Sequence, residues 1–177
     1  DGPIDIRHFG ARRGVIGFDS QSAITAARDA ALSDHPPRAR SILMPPGTYY
    51  IEETLDFSFG NFKITSGGGT VLQMAGVSTD PIIKIDGGPA GALNNVDFGA
   101  GHHIYLIGNG NTEVAMYTRS LHRSKIYARA REITKSGLDV NFSVLLDAFV
   151  SVSGNEGAFT VTPEHGVRIA KRGTFEK

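Results

Sequence analysis

Short apolar segments separated by polar turns make up most of the chain after residue 40. Most segments are four to six residues long, and Gly, Asn, Asp or Pro stands between one segment and the next. This spacing is typical of β-strands joined by turns. We expect strands at Ser41–Met44, Thr48–Ile51, Phe62–Thr65, Thr70–Met74, Pro81–Ile85, Asn95–Phe98, His103–Ile107, Val114–Tyr117, Lys125–Ala128, Gly137–Phe142, Phe149–Val152 and Gly166–Ile169.

One segment near the N-terminus instead has the pattern of a helix. The run Ser22–Leu32 is rich in alanine and contains neither Gly nor Pro, which favours helix. Its apolar stripe consists of Ile24, Ala27 and Ala31. Asp19 and Ser20 are suitable N-cap residues. We expect the helix to end before Asp34, because two prolines follow at positions 36 and 37.

The sequence of strands fits either an antiparallel sandwich or a parallel β-solenoid. Strands that begin at Ile82, Val114, Leu138 and Val167 can be placed in equivalent positions on successive turns, 32, 24 and 29 residues apart. Turns of this length, each with two or three short strands, suit a solenoid. Alternation then places these residues inside: Ile83, Ile85, Val114, Met116, Leu138, Val140, Val167 and Ile169.

The composition limits the classes of function. The 177 residues include 18 Lys and Arg and 18 Asp and Glu, so the formal net charge is zero. This balance argues against nucleic acid or an anionic membrane as the main partner. Cysteine is absent, which excludes disulfides, thiolate zinc sites and a cysteine nucleophile. No apolar run approaches the roughly 18 residues of a transmembrane helix.

Three elements at the start of the chain follow one another in a recognisable order. They are Ile4–Ala11, then Asp19–Ile24 leading into the Ala-rich helix, then Ile42–Ile51, which contains Pro-Pro-Gly-Thr-Tyr. This order resembles the opening of the pectate-lyase-like right-handed parallel β-helix proteins. The Gly-Asp-Gly of that family is missing, and Arg12–Phe18 stands in its place. The Gly-rich turn Ser66–Thr70 is a further similarity. The rest of the chain shares with the family only its general pattern of short apolar strands separated by turns.

The resemblance implies an all-β fold, a right-handed parallel β-helix with an N-terminal capping α-helix. Residues 1–40 would form the extended segment and the capping helix. Residues 41–177 would form the coils of a single domain, as the N-terminal part of a longer protein. A solenoid exposes an apolar cross-section at its first coil, which a helix can cover. The motif residues are therefore expected to shape the fold and not to carry chemistry.

Proteins of this superfamily are polysaccharide lyases, glycoside hydrolases, epimerases and bacteriophage tailspikes. The resemblance therefore implies a polysaccharide or cell-surface glycan as partner, bound and cleaved by lyase or hydrolase chemistry. It also implies a secreted or virion-associated protein and a homotrimer. Two alternatives stay open: a non-catalytic trimeric adhesin or structural appendage, and a sugar epimerase. We expect no cofactor and no metal, and nothing in the sequence indicates Ca²⁺.

The outward positions of the aligned strands form a candidate site. In this register Lys84, Tyr117, Asn141, Asp139 and Arg168 follow one another along the outer face. A hydrolase needs two carboxylates, which Asp139 could form with Glu164 or Asp147. A lyase needs a base and a cation, for which His165, Arg168 and Lys171 are available.

From this row we expect two sets of site residues. The expected catalytic residues are Asp139, Glu164, His165 and Arg168. The expected substrate-binding residues are Lys84, Tyr117 and Asn141. The alternative is that Asp139 and Arg168 form an exposed ion pair between neighbouring strands.

Two further groups of residues bear on binding. A basic cluster comprises Arg119, His122, Arg123, Lys125, Arg129 and Arg131. Alternation would place several of them on one exterior face, where they could bind an acidic glycan or form a solvated or intersubunit face. His102 and His103 are adjacent, and in a strand their side chains would point to opposite faces and share no metal.

Overall fold

The structure is a computed structural model, and it describes residues 2–34, 41–87, 95–141, 147–152 and 165–169. These residues form one α-helix, α1 (Gln21–Asp34), and a short 3-10 helix (Ile6–Phe9). The strands are β1 (Ile4–Asp5), β2 (Ser41–Met44), β3 (Gly47–Ile51), β4 (Leu55–Asp56), β5 (Phe62–Ser66), β6 (Thr70–Met74), β7 (Ile83–Asp86), β8 (Val96–Ala100), β9 (Ile104–Ile107), β10 (Val114–Arg119), β11 (Lys125–Arg131), β12 (Ser136–Asn141), β13 (Asp147–Val152) and β14 (His165–Ile169).

Every strand pair in the described part of the chain is parallel. The first sheet has the order β1-β2-β5-β8-β11-β9-β6-β3, and β13 pairs with β11. The second sheet has the order β14-β12-β10-β7-β4. Strand β11 is long enough to pair with both β8 and β9 of the preceding turn. The protein is therefore mostly β, with parallel strands, and the antiparallel sandwich is excluded as its arrangement.

The register of the second sheet is close to the one expected from the sequence. Leu55, Ile83, Met116, Leu138 and Val167 occupy equivalent positions on successive strands. The last three intervals between these residues are 33, 22 and 29 residues, against the expected 32, 24 and 29. The difference moves β10 by up to two residues relative to its neighbours.

Columns of apolar side chains fill the space between the sheets. One column of the first sheet is formed by Ile42, Ile64, Phe98 and Ile126, and all four side chains are fully buried. Val114, expected inside, is only half-buried, and Ala115 beside it is fully buried. At the start of β10, Glu113 donates its backbone N–H to the Thr79 carbonyl.

The helix begins and ends within two residues of the prediction. The expected stripe of Ile24, Ala27 and Ala31 is fully buried, and α1 contacts β1 and β2 at one end of the first sheet and β4 at one end of the second. The helix includes Asp34, one residue beyond the expected end, and residues 35–40 lie outside the described residues. No helix in the described ranges is long and apolar enough to cross a membrane.

The segment Arg12–Phe18, which stands where the family has Gly-Asp-Gly, lies along the outer edge of β3. Gly14 donates its backbone N–H to the Thr48 carbonyl at 2.7 Å. Just after this segment, Ser20 donates its backbone N–H to the Tyr50 carbonyl at 2.8 Å. Two carbonyls of the edge strand are thereby satisfied by a loop and not by a further strand.

Candidate functional site

The corner between β8 and β9 projects from the first sheet. Phe98 and Ile104 are six positions apart along the chain, but their partners Ile126 and Ala128 on β11 are only two positions apart. The excess residues between Phe98 and Ile104 form a loop that bends outward, while β11 continues straight across it. The projecting loop and the outer face of β11 enclose a cleft.

Gly99 makes this corner sterically feasible. Its φ of +74° lies in the left-handed region, which side chains other than that of glycine rarely adopt. A Cβ atom at this position would lie 2.3 Å from the Tyr127 carbonyl oxygen. Gly99 is also the extra residue that shifts the register between β5 and β8. The corner loop therefore requires glycine at its first residue.

The cleft at this corner has a volume of about 500 Å³. Its lining residues are Lys63, Asp97, Gly99, Ala100, Gly101, His102, His103, Lys125 and Tyr127. Lys63, Asp97 and Lys125 stand in register on three adjacent strands, so a carboxylate lies between two ammonium groups. Adjacent strands are about 4.8 Å apart, so all three groups can contact one small ligand. We call this the corner cleft.

His103 occupies the inner wall of the corner cleft. Its ring makes edge contacts with Tyr127 at 6.0 Å and with Phe149 at 5.1 Å between ring centroids. Its Nε2 atom is buried and has no hydrogen-bond partner in the described part of the chain. The prediction that His102 and His103 face opposite sides assumed that both lie in a strand. Strand β9 begins only at Ile104, and both rings line the corner cleft.

A second, smaller cleft lies farther along β11. Its volume is about 330 Å³, and it is lined by Val71, Tyr105, Leu106, Ile107, Arg129, Ala130, Arg131 and Ser151. The Arg129 guanidinium stacks over the exposed Tyr105 ring, with its central carbon 5.7 Å from the ring centroid. We call this the arginine cleft.

The row predicted on the second sheet is present in register. Lys84, Tyr117, Asp139 and the backbone of Arg168 occupy equivalent positions on β7, β10, β12 and β14. Asn141 lies one row away, opposite Arg119. Lys84 lies 3.6 Å from a carboxylate oxygen of Asp56.

Asp139 differs from the other members of this row because it is only 3% exposed. Its Oδ1 atom accepts a hydrogen bond of 2.8 Å from the Ser136 hydroxyl. The register places His165 opposite Ser136, three residues before Arg168. Glu164 and Lys171 lie outside the described residues. The strands hold these residues in register, but Asp139 is buried and does not lie exposed on the outer face as expected, and the catalytic role of the row stays a prediction.

The corner cleft was missed because only the strands of the second sheet were aligned from the sequence. The strands that contain Lys63, Asp97 and Lys125 were all expected, at nearly the observed positions. Aligning their buried residues would have placed the three charges in one outward row. The projecting loop gives a weaker signal, namely the two glycines at positions 99 and 101.

The described residues contain no group of three or more His, Cys, Asp or Glu side chains that could hold a metal ion. In the corner cleft the charged residues are two lysines and one aspartate, a set suited to binding an anionic or hydroxyl-rich ligand.

No protein-family model and no curated protein matches the chain. Two solved structures are similar to it. One is Geobacillus virus E2 ORF18, with a TM-score of 0.62 and 15% identity over 77% of this chain. The other is the Agl-KA catalytic domain, with a TM-score of 0.53 and 15% identity over 92% of this chain. The chain spans only 27% and 36% of the lengths of these two structures. At 15% sequence identity, the similarity to these two structures shows a shared fold and nothing further.

Proposed function

We propose that this chain is a right-handed parallel β-helix that binds a polysaccharide and cleaves it by lyase or hydrolase chemistry. The observation that carries the proposal is the corner cleft, which combines one carboxylate, two ammonium groups, two imidazoles and a tyrosine ring on the outer face of stacked parallel strands. The parallel pairing of all described strands supports a β-helix. Connections between parallel strands are strongly biased to the right-handed sense, which supports a right-handed β-helix.

The groups in the corner cleft fit lyase chemistry on an acidic sugar. A base removes the proton next to the sugar carboxylate, the electron pair forms a carbon–carbon double bond, and the glycosidic oxygen leaves and takes up a proton. Lys63 and Lys125 can neutralise the carboxylate, and His103 or Asp97 can serve as the base. Hydrolysis needs a second carboxylate, and Asp97 is the only carboxylate lining this cleft among the described residues.

The similarity to the Agl-KA catalytic domain is consistent with an enzyme, and the similarity to a viral protein is consistent with a virion-associated one. We further propose an extracellular or virion location and a homotrimer, as the family resemblance implies. A trimer would place the outer face of each chain near a neighbouring chain, where clefts between subunits also form.

The proposal is tested by incubating the protein with a panel of neutral and acidic polysaccharides. Ultraviolet absorbance of unsaturated sugars reports a lyase, and new reducing ends report cleavage of either type. If the lyase activity is lost in His103→Ala and retained in Lys84→Ala, the reaction takes place in the corner cleft. The opposite result assigns it to the predicted row on the second sheet. Binding without cleavage identifies a non-catalytic adhesin, and neither binding nor cleavage overturns the proposal.

A further inference from the structure

The outward side chains of β11 form one continuous row. Ile126, Ala128 and Ala130 are buried, and the residues that alternate with them point outward: Lys125, Tyr127, Arg129 and Arg131. Three of these four side chains are cations, and the fourth is aromatic. At about 3.3 Å per residue, the row extends over roughly 20 Å.

This row connects the two clefts of the first sheet. Lys125 and Tyr127 line the corner cleft, and Arg129 and Arg131 line the arginine cleft. Both clefts therefore open on the same strand, one after the other. A ligand that fills both must be elongated and must lie along β11, across the stacking direction of the turns.

The charge along this row is positive although the whole chain is neutral. Lys63, Lys125, Arg129 and Arg131 are the cations around the two clefts. The register places Lys125 between Asp97 and Asp147 on the two adjacent strands, and Arg131 lies 3.8 Å from Glu132. The ligand that complements this surface carries repeated negative charge.

We propose that the outer face of β11 is a binding track for a polysaccharide that carries carboxylate or sulfate groups, with the sugar chain lying along the strand across both clefts. This inference rests on the proposed function, because it takes a glycan as the ligand. Asp97, between two lysines, can accept hydrogen bonds from sugar hydroxyls that lie beside the anionic groups bound by the lysines. Tyr105 and Tyr127 offer ring surfaces to the apolar faces of sugars.

The experiment measures dissociation constants for a polyuronate, for its methyl ester, for a sulfated polysaccharide and for a single-stranded oligonucleotide. The polyuronate and its ester share one backbone and differ in charge. The variants are Lys125→Ala, Arg129→Ala and Arg131→Ala, with Lys135→Ala as control. Lys135 is an exposed lysine beyond the end of β11, where it pairs with Glu113 at 2.6 Å. All four substitutions remove one positive charge.

We expect the polyuronate or the sulfated glycan to bind more tightly than the ester, and added salt to weaken that binding. Each β11 variant should bind roughly three- to fivefold more weakly, as expected for one exposed charge contact, and the control should bind as the parent does. The preferred polymer identifies the anionic group as carboxylate or sulfate.

Three outcomes would overturn the proposal that β11 is a binding track for an anionic glycan. They are equal binding of the polyuronate and its ester, equal losses in the control and the β11 variants, and tighter binding of the oligonucleotide than of any glycan. The first two leave the proposed function standing, because a glycan still binds. Absence of binding to every glycan instead refutes the proposed function itself.

Discussion

Gly99 shows how a single residue determines the shape of the site. Its positive φ and its approach to the Tyr127 carbonyl are separate constraints. Gly101, two residues later, has a φ of +96° but has open space around the position of its missing Cβ. Substitution of Gly101 therefore tests backbone strain alone, whereas substitution of Gly99 tests backbone strain together with a steric clash.

We predict that Gly99→Ala destabilises the protein more than Gly101→Ala does. Gly101→Ala should cost about 1–2 kcal/mol, which is the strain of a left-handed alanine. Gly99→Ala adds the overlap with the carbonyl oxygen and should distort the corner cleft, so its glycan affinity should fall as well. Urea unfolding gives the two free energies of unfolding. Equal losses in the two variants would contradict the assigned contact.

Asp5 links the stability of the N-terminal segment to pH. Its carboxylate accepts hydrogen bonds from the backbone N–H of Arg7 at 2.9 Å and from the Arg7 side chain at 2.6 and 3.1 Å. The hydrogen bond from the Arg7 side chain is the main cause that lowers the pKa of Asp5 below its ordinary value. A lowered pKa stabilises the folded state above the ordinary pKa, and this contribution is lost as the pH falls through the lowered value.

We therefore predict that Asp5→Asn is less stable than the parent at neutral pH, and that the difference shrinks below about pH 4. Melting temperatures between pH 7 and pH 3 measure this difference. Asp29→Asn is the control, because Asp29 is an exposed aspartate that also pairs with an arginine, Arg28 at 2.7 Å. A constant gap between Asp5→Asn and the parent across this range would show that Asp5 acts through packing and not through charge.

At the scale of one element, α1 packs through very small side chains. Ala27 is fully buried, whereas its neighbour Ala26 is exposed. The close approach of the helix to the end of the first sheet depends on this absence of bulk.

We predict that Ala27→Leu destabilises the protein by about 1–3 kcal/mol, because added methylenes overpack a filled interior. Ala26→Leu introduces the same side chain one position away and should change the free energy of unfolding by less than about 0.5 kcal/mol. Chemical denaturation of both variants measures the contrast. Similar values at the two positions would mean that α1 does not seal the core.

The elements themselves follow from local sequence, and their register follows only in part. The helix stripe and the strands with alternating apolar residues were predictable because burial follows the period of each element. Strands β1 and β4 have two residues each, too few to show a period. The corner cleft arises because β11 is continuous where the preceding turn is broken, and this mismatch involves residues about 25 positions apart. No local pattern reports such a mismatch.

At the scale of the whole molecule, the two parallel sheets each have a long outer face. The outer face of β11 and the row that includes Lys84 and Tyr117 lie on different sheets. A trimer can therefore bury one face and leave the other for the glycan.

We predict that sedimentation equilibrium gives a mass three times the 18.9 kDa of a single chain. Glycan binding by this assembly should still depend on Lys125, which tests whether the track stays accessible. A monomeric mass would refute the proposed trimer and leave the binding proposal intact. A trimer in which Lys125→Ala has no effect would instead indicate that subunit contacts cover β11.

The loop Arg12–Phe18 has a consequence for how copies of this protein can meet. Gly14 and Ser20 donate to the Thr48 and Tyr50 carbonyls, which are the acceptors that an incoming strand would use. A second molecule therefore finds these two acceptors of β3 already occupied, which disfavours intermolecular strand pairing along this edge as long as the segment stays in place.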